Sequence, residues 1–369
     1  MKPIHMSSPD ITEDDIAAVV DVLRSGRLAL GPQSEEFERL IAEYVGVRHA
    51  IAVSSGTAAL HMIVRALGFG RGDEVLVPSF TFAASVNALL FEGVTPVFVD
   101  IERDTFNLDP DDVERKITPR TKAIMAVDVF GHPAEWDRLD AIARAHRLRI
   151  IDDSCEALGA EYRGRRVGQF GDAGAFAFYP NKQLTTGEGG VVVTNDGEIA
   201  RACRSLRNQG RPEMGAWLEH ERLGYNYRLD EMSCALGCSQ MRRIETLLAK
   251  RERVAAQYTD RLRRLEWISA PAVRPHVRAS WFVYVVTVSG IDRGDVIDSL
   301  AAAGIPARAY FSPVHLQSYI RALMPGPVPQ LPVTDAVARR AVALPFHGNL
   351  TDEEIERVVD ALSKLPVGI

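Results

Sequence analysis

The chain has 369 residues, 46% of them hydrophobic and 25% charged, values that exclude a disordered, collagen-like or low-complexity protein. Lys plus Arg number 43 against 49 Asp plus Glu, a net charge of −6. Without a block of about five like charges, nothing in the sequence marks a nucleic-acid partner. No apolar run reaches the roughly 18 residues of a membrane span. The segment 1–15 lacks the apolar stretch of a secretory signal. Together these features point to the cytoplasm. At about 150 residues per domain the length suggests two domains. Cys155, Cys203, Cys234 and Cys238 show no paired zinc spacing and read as buried reduced thiols, not as a metal site.

In chain order, Ile16, Val19, Val20 and Leu23 recur at helical spacing behind Thr12, with Asp15 three residues on, a capping-box start. Phe37, Leu40, Ile41 and Tyr44 predict a second helix, and Leu60, Ile63, Val64 and Leu67 a third. Between helices lie short apolar runs at 74–77, 95–99, 123–127 and 149–152. They are too short for helices and as apolar as strands buried on both faces. Helix and strand alternate from about residue 49 to about 205, the pattern of βαβ units in a mostly parallel sheet flanked by helices. The texture then changes. Residues 231–264 read as long charged helical sequence leading out of the first domain. A strand is predicted at 280–288, a helix at 295–303, and a helix at 352–362 with Thr351 as N-cap. The stretch 324–332 carries four prolines and reads as a loop. The predicted fold is α/β, with a large domain at 1–245 and a smaller α+β domain at 246–369.

In such sheets ligands collect at the carboxyl ends of strands, where helix N-termini point. Three segments are expected there. Residues 53–57, Val-Ser-Ser-Gly-Thr, join an apolar run to the helix that carries Leu60. Small residues let an anion approach backbone N–H groups, Thr57 adds a hydroxyl, and the helix dipole favours phosphate. Taken alone, the segment is either a phosphate cradle or an ordinary capped helix start. Asp152 and Asp153 end another apolar run. Each is either a structural strand-end carboxylate or the group that keeps a pyridinium nitrogen protonated. Lys182 follows a third apolar run and precedes a Gly-rich turn, a place suited to Schiff-base chemistry with an aldehyde. Cradle, strand-end Asp, then Lys about 30 residues later is an order that suits pyridoxal phosphate.

These segments are where the chain resembles the sugar aminotransferases of the DegT/DnrJ/EryC1/StrS type. The resemblance runs nearly end to end, through residues 25–32, 54–60, 72–82, 118–124, 153–159, 174–190 and 224–230. It implies the fold-type-I architecture of enzymes that use pyridoxal 5'-phosphate. It implies Lys182 as the lysine that bonds the cofactor aldehyde and Asp153 as the partner of the pyridine nitrogen. Phe82 would stack on the ring, Glu156 would lie beside it, and Gly56 and Thr57 would form the phosphate-binding turn. Asn226 would reach the phosphate from the neighbouring subunit, so the resemblance also implies a homodimer with shared active sites. Arg228 is implied for the substrate diphosphate, with a surface arginine as the alternative. Tyr310 and His315 lie where the small domain approaches the site. They contact substrate, or else Tyr310 is core and His315 a packing or capping residue. Two positions depart from the family pattern. Ala177 stands where many members have a serine that bonds the phosphate, and Asp128 where many have histidine.

The implied reaction is amino transfer from L-glutamate to a nucleotide-linked keto-sugar, with a 4-keto-6-deoxy sugar aminated at C4 as the expectation. Lys182 would act as general base and acid, in amino-sugar, polysaccharide or secondary-metabolite biosynthesis. The alternatives are a cyclitol- or aminobenzoate-forming relative, a sugar dehydratase, and a non-catalytic regulatory homologue. Dehydratase relatives carry histidine in place of the lysine, and a regulatory homologue should have lost the lysine or the carboxylate. Lys182 and Asp153 are both present.

Overall fold

In the computed structural model, which describes residues 3–212 and 218–365, the apolar runs become strands. They are β1 (His49–Val53), β2 (Glu74–Pro78), β3 (Thr95–Val99), β4 (Thr121–Val127), β5 (Arg149–Asp153), β6 (Glu161–Tyr162), β7 (Arg165–Arg166), β8 (Ala173–Ala177) and β9 (Gly190–Thr194). All but β6 and β7 join one sheet, in the order β1-β9-β8-β5-β4-β2-β3. The β2–β3, β2–β4, β4–β5 and β5–β8 pairs are parallel, while β9 runs antiparallel to β1 and β8. Alternate residues feed cores on opposite faces, as the two-residue period of a strand requires. Ile51 and Val53 pack with Leu60, Ile63 and Val64 of helix Gly56–Ala66, whereas Ala50 and Ala52 pack with Phe37 and Ile41 of helix Pro32–Val45. The mostly parallel, helix-flanked sheet is the one the sequence predicts.

The second half forms β10 (Ile268–Ser269), β11 (Val277–Arg278), β12 (Tyr284–Val288), β13 (Arg308–Ala309) and β14 (Ala341–Leu344). Four of them make the antiparallel sheet β10-β12-β14-β13, and β11 pairs with β6. Helices Arg293–Ala302 and Asp352–Ser363 pack on that sheet through Leu300, Ile355 and Val359. Thr351 caps the second with a full capping box. The chain crosses residue 245 in both directions: Ile4 packs with the second-half core, and Val314, Ile320 and Leu331 pack with the core of the large sheet.

Several elements differ from the sequence expectation, each for a tertiary reason. Residues 280–283 do not extend β12, because their hydrogen bonds go elsewhere. Ser280 N donates to Gly131 O at 2.9 Å and Phe282 N to Phe130 O at 3.0 Å, which joins the second half to the large sheet. The 231–264 stretch is two helices, Glu231–Arg242 and Ile244–Leu262, broken at Arg243. That residue leaves helical geometry, and its guanidinium ties down Asp10 and Asp15 at 2.8 Å each. The helix expected at 295–303 starts at Arg293, because Asp292 accepts from Gly294 N at 2.7 Å. Pro332 opens helix Pro332–Ala338 instead of ending the loop, at a position where its missing N–H costs nothing. Helix Glu13–Ser25 forms with the expected capping box. It buries Asp15 and Val22, however, and leaves Ile16 and Leu23 about half exposed at 48% and 53%.

Candidate active site

The carboxyl ends of the central strands open into a cavity of about 440 Å³, with walls from both halves of the chain. Gly56, Thr57, Phe82, Asp153, Glu156, Lys182 and Tyr310 all line it, so seven of the residues named from the sequence converge. Asp153 ends β5 and is buried. Its Oδ2 accepts from Ser85 Oγ at 2.7 Å and its Oδ1 from Cys155 N at 3.2 Å. Burial pushes its carboxyl above the usual range; hydrogen bonds from Ser85 and Cys155 and the Lys182 charge oppose that. A cation set against Asp153 would favour the ionised form further.

Lys182 lies in the turn after β8, and its side chain is only 12% exposed. The ammonium sits 3.8 Å from Glu156 Oε1 and 3.6 Å from the centre of the Phe282 ring. Glu156 is itself fixed, since its Oε2 accepts from Phe130 N at 2.9 Å. Burial raises its carboxyl, and the Lys182 charge works against that rise.

The phosphate end of the candidate site is the start of helix Gly56–Ala66. Ser55 Oγ caps it by accepting from Ala58 N at 3.1 Å, and the first-turn N–H groups have no partner within the helix. A Cβ on Gly56 would stand 2.6 Å from the Ala177 Cβ and 3.0 Å from Cys155 Sγ, so only glycine fits beneath Ala177. Phe82 precedes helix Ala83–Phe91 and is 64% exposed, so it is not the core phenylalanine its apolar surroundings in sequence would allow. A buried lysine, a strand-end carboxylate, an exposed aromatic face and a helix N-terminus with a threonine hydroxyl therefore share one cavity. That donor set fits a molecule with an aldehyde, a basic ring nitrogen and a phosphate.

Three sequence-named residues do not reach this cavity within the chain. Tyr225 N and Tyr227 N donate to Leu206 O and Arg207 O, which leaves Asn226 between them exposed. Arg228 donates to Asn208 Oδ1 at 2.9 Å. His315 is 1% exposed, with Nδ1 2.6 Å from Ser79 Oγ and Nε2 3.5 Å from Asp335 Oδ1, a packing position. Among the described residues no group of three or more His, Cys, Asp or Glu is placed to hold a metal ion.

Two supporting groups were not singled out from the sequence. Ser85 and Thr81, whose hydroxyls lie 2.9 Å apart, form a chain that ends on Asp153. Arg251 is buried and donates to four carbonyls: Trp281 O at 3.1 Å, Phe282 O at 3.2 Å, Asn181 O at 3.1 Å and Lys182 O. Burial pulls its guanidinium down to about 10. It ties the lysine turn to the phenylalanine that the lysine faces. The signal for Ser85 is its hydroxyl five residues after Pro-Ser-Phe at 78–80; Arg251 is hidden in a run of helical charges. Replacing Arg251 by Met should lower stability by about 3 kcal/mol or more, because hydrogen bonds to charged groups contribute about 1.5–3 kcal/mol each. Denaturant titration of the two proteins measures this.

A sequence model described as the DegT/DnrJ/EryC1/StrS aminotransferase family matches residues 9–363. The chain is 41% identical over 340 residues to GDP-perosamine synthase of Caulobacter vibrioides, covering 90% of each. Among solved structures it resembles S. venezuelae DesV in complex with ketimine intermediate, with a TM-score of 0.90 and 39% identity over 95% of this chain and 93% of that one. It also resembles Helicobacter pylori PseC, an aminotransferase involved in the biosynthesis of pseudoaminic acid, with a TM-score of 0.93 and 30% identity over 98% of this chain and 99% of that one.

Proposed function

The chain belongs to the DegT/DnrJ/EryC1/StrS aminotransferase family, and on that premise we propose that it moves the amino group of L-glutamate to a nucleotide-linked keto-sugar, using pyridoxal 5'-phosphate. The proposed acceptor is a 4-keto-6-deoxy sugar aminated at C4. The observation that carries the reading is the convergence of Lys182, Asp153 and the helix start at Gly56 and Thr57 on one cavity. The relative named as a GDP-perosamine synthase and the two aminotransferase structures support it.

When bound, pyridoxal phosphate supplies the electron sink for the bond broken at the amine-bearing carbon. The chain's own groups do the rest. Lys182 Nζ is the general base and acid that moves the proton of that carbon. The Asp153 carboxylate holds the ring-nitrogen proton, and Ser85 holds the carboxylate. Glu156 keeps a negative charge 3.8 Å from the ammonium. Gly56 N, Thr57 N and the Thr57 hydroxyl are the anion donors that stand in for the hydroxyl missing at Ala177.

Assay with glutamate against a panel of nucleotide-linked keto-sugars tests the reading. The expected product carries an amine at C4, with one 2-oxoglutarate formed per amine. Dehydration without amine incorporation would place the protein with the sugar dehydratases instead. No helix among the described residues is long and apolar enough to cross a membrane, in keeping with a cytoplasmic place for this reaction.

The proposed dimer rests on Asn226, which faces out of its own chain, and on Ile16, Leu23 and Phe91, apolar and exposed. In a two-fold dimer the neighbouring copy would place Asn226 at the phosphate. Lys182→Ala and Asn226→Ala subunits can be mixed at a cofactor level where each parent is inactive. A hybrid dimer then gathers both lesions in one site and leaves the other intact, so activity should reappear. Hybrids that form without rescue would reject a contact made across the interface.

A further inference from the structure

Behind Asp153 lies a carboxyl pair that the proposed chemistry does not use. Asp128, Asp152 and Ser154 are fully buried. One oxygen of each carboxyl is taken by the main chain: Asp128 Oδ1 accepts from Ala134 N at 2.8 Å, and Asp152 Oδ2 from Gly168 N at 2.7 Å. The other two oxygens converge on a single hydroxyl, with Ser154 Oγ 2.7 Å from Asp128 Oδ2 and 2.5 Å from Asp152 Oδ1. A serine hydroxyl has one proton and donates to one of them. If both carboxyls were ionised, the second would face an oxygen lone pair at hydrogen-bond distance. It would do so with no counter-charge, since the charged group that faces the pair is Asp153, another acid. The contacts are satisfied with one added proton. A carboxylic acid then donates to Ser154 Oγ, and Ser154 donates to the remaining carboxylate.

We propose that Asp128 and Asp152 share one proton through Ser154 Oγ, as a buried monoanion that positions Asp153. The link to Asp153 is short. Asp153 lies between Asp152 and Ser154 in the chain, and its carbonyl accepts from Asp128 N at 3.1 Å. The direction of titration agrees: burial pushes the Asp128 carboxyl up to about 7 and the Asp152 carboxyl well above its usual range. The proton count stands on these contacts alone. Its consequence, one negative charge fewer behind the ring nitrogen, rests on the role proposed above for Asp153.

Asparagine at either position copies the protonated acid. Its Oδ1 keeps the main-chain bond, and its Nδ2 donates to Ser154 Oγ. Infrared difference spectra at pH 7, wild type minus variant, in ordinary and heavy water, read the proton directly on the full chain. A protonated-carboxyl band should be present in the wild type and lost in both Asp128→Asn and Asp152→Asn. Each single variant should melt close to the wild type and retain pyridoxal phosphate on dialysis. Asp128→Ala should hold it about tenfold less well, the equivalent of one lost hydrogen bond. The double asparagine variant should do the same, because two amides then donate to one hydroxyl whose own proton has no acceptor. A wild type without the band overturns the proposal, as do single asparagine variants damaged as badly as Asp128→Ala. A wild type that shows the band but binds no pyridoxal phosphate upholds the pair and refutes the cofactor reading.

Discussion

Replacing Lys182 by alanine should lower amino transfer by about 10⁴-fold or more while the protein stays folded. A positioned general base is worth roughly 10²–10⁴-fold, and Lys182 is also the nucleophile toward the cofactor aldehyde, a second loss in the same variant. The structure gives no other amine for either task in the cavity: its lining contains one lysine and no arginine or histidine. The fold should survive, because the ammonium touches only Glu156, at 3.8 Å, and the Phe282 ring. Steady-state turnover with glutamate, beside a thermal melt, separates the two effects. A variant that kept a tenth of wild-type turnover would show that another group moves the proton.

Asp153→Asn should cost roughly 10²–10³-fold in turnover, the size of effect a single preorganised electrostatic contact has in other active sites. The substitution keeps shape and removes charge. Asparagine Oδ1 can still accept from Cys155 N. Its Nδ2 can donate to Ser85 Oγ, provided Ser85 turns its own proton toward Thr81, 2.9 Å away. Reversal of that hydroxyl chain is why the fold should tolerate the change. What is lost is the negative charge beside the ring nitrogen. Near-normal turnover in this variant would move the role to a group other than Asp153.

The parts of the fold that could be read from the sequence are those set by short-range pattern. Apolar runs such as 74–77 and 149–152 became strands because nothing but a doubly covered sheet buries them on both sides. The capping boxes at Thr12 and Thr351 need only the four residues that form them. The converging site residues were legible because small, acidic and basic residues sit at the ends of those runs. The rest depends on distant partners. Ser85 reaches Asp153 across 68 positions, and Arg251 reaches the lysine turn across 69 and 70. No local pattern marks those pairs. Residues 280–283 have strand composition, yet they spend their hydrogen bonds on Phe130 and Gly131. Ile16 and Leu23 have the period of a buried stripe, yet Asp15, held by Gln240 and Arg243, turns the helix so that they face outward.

Lys182 as the point of cofactor attachment is the claim on which the rest depends, and chemical trapping tests it most directly. The purified protein, loaded with pyridoxal phosphate, is reduced with borohydride and digested, and the labelled peptide is identified by mass spectrometry. The label should fall on Lys182, and the Lys182→Ala protein treated in the same way should carry none. A label on another lysine of the wild-type chain would contradict the assignment.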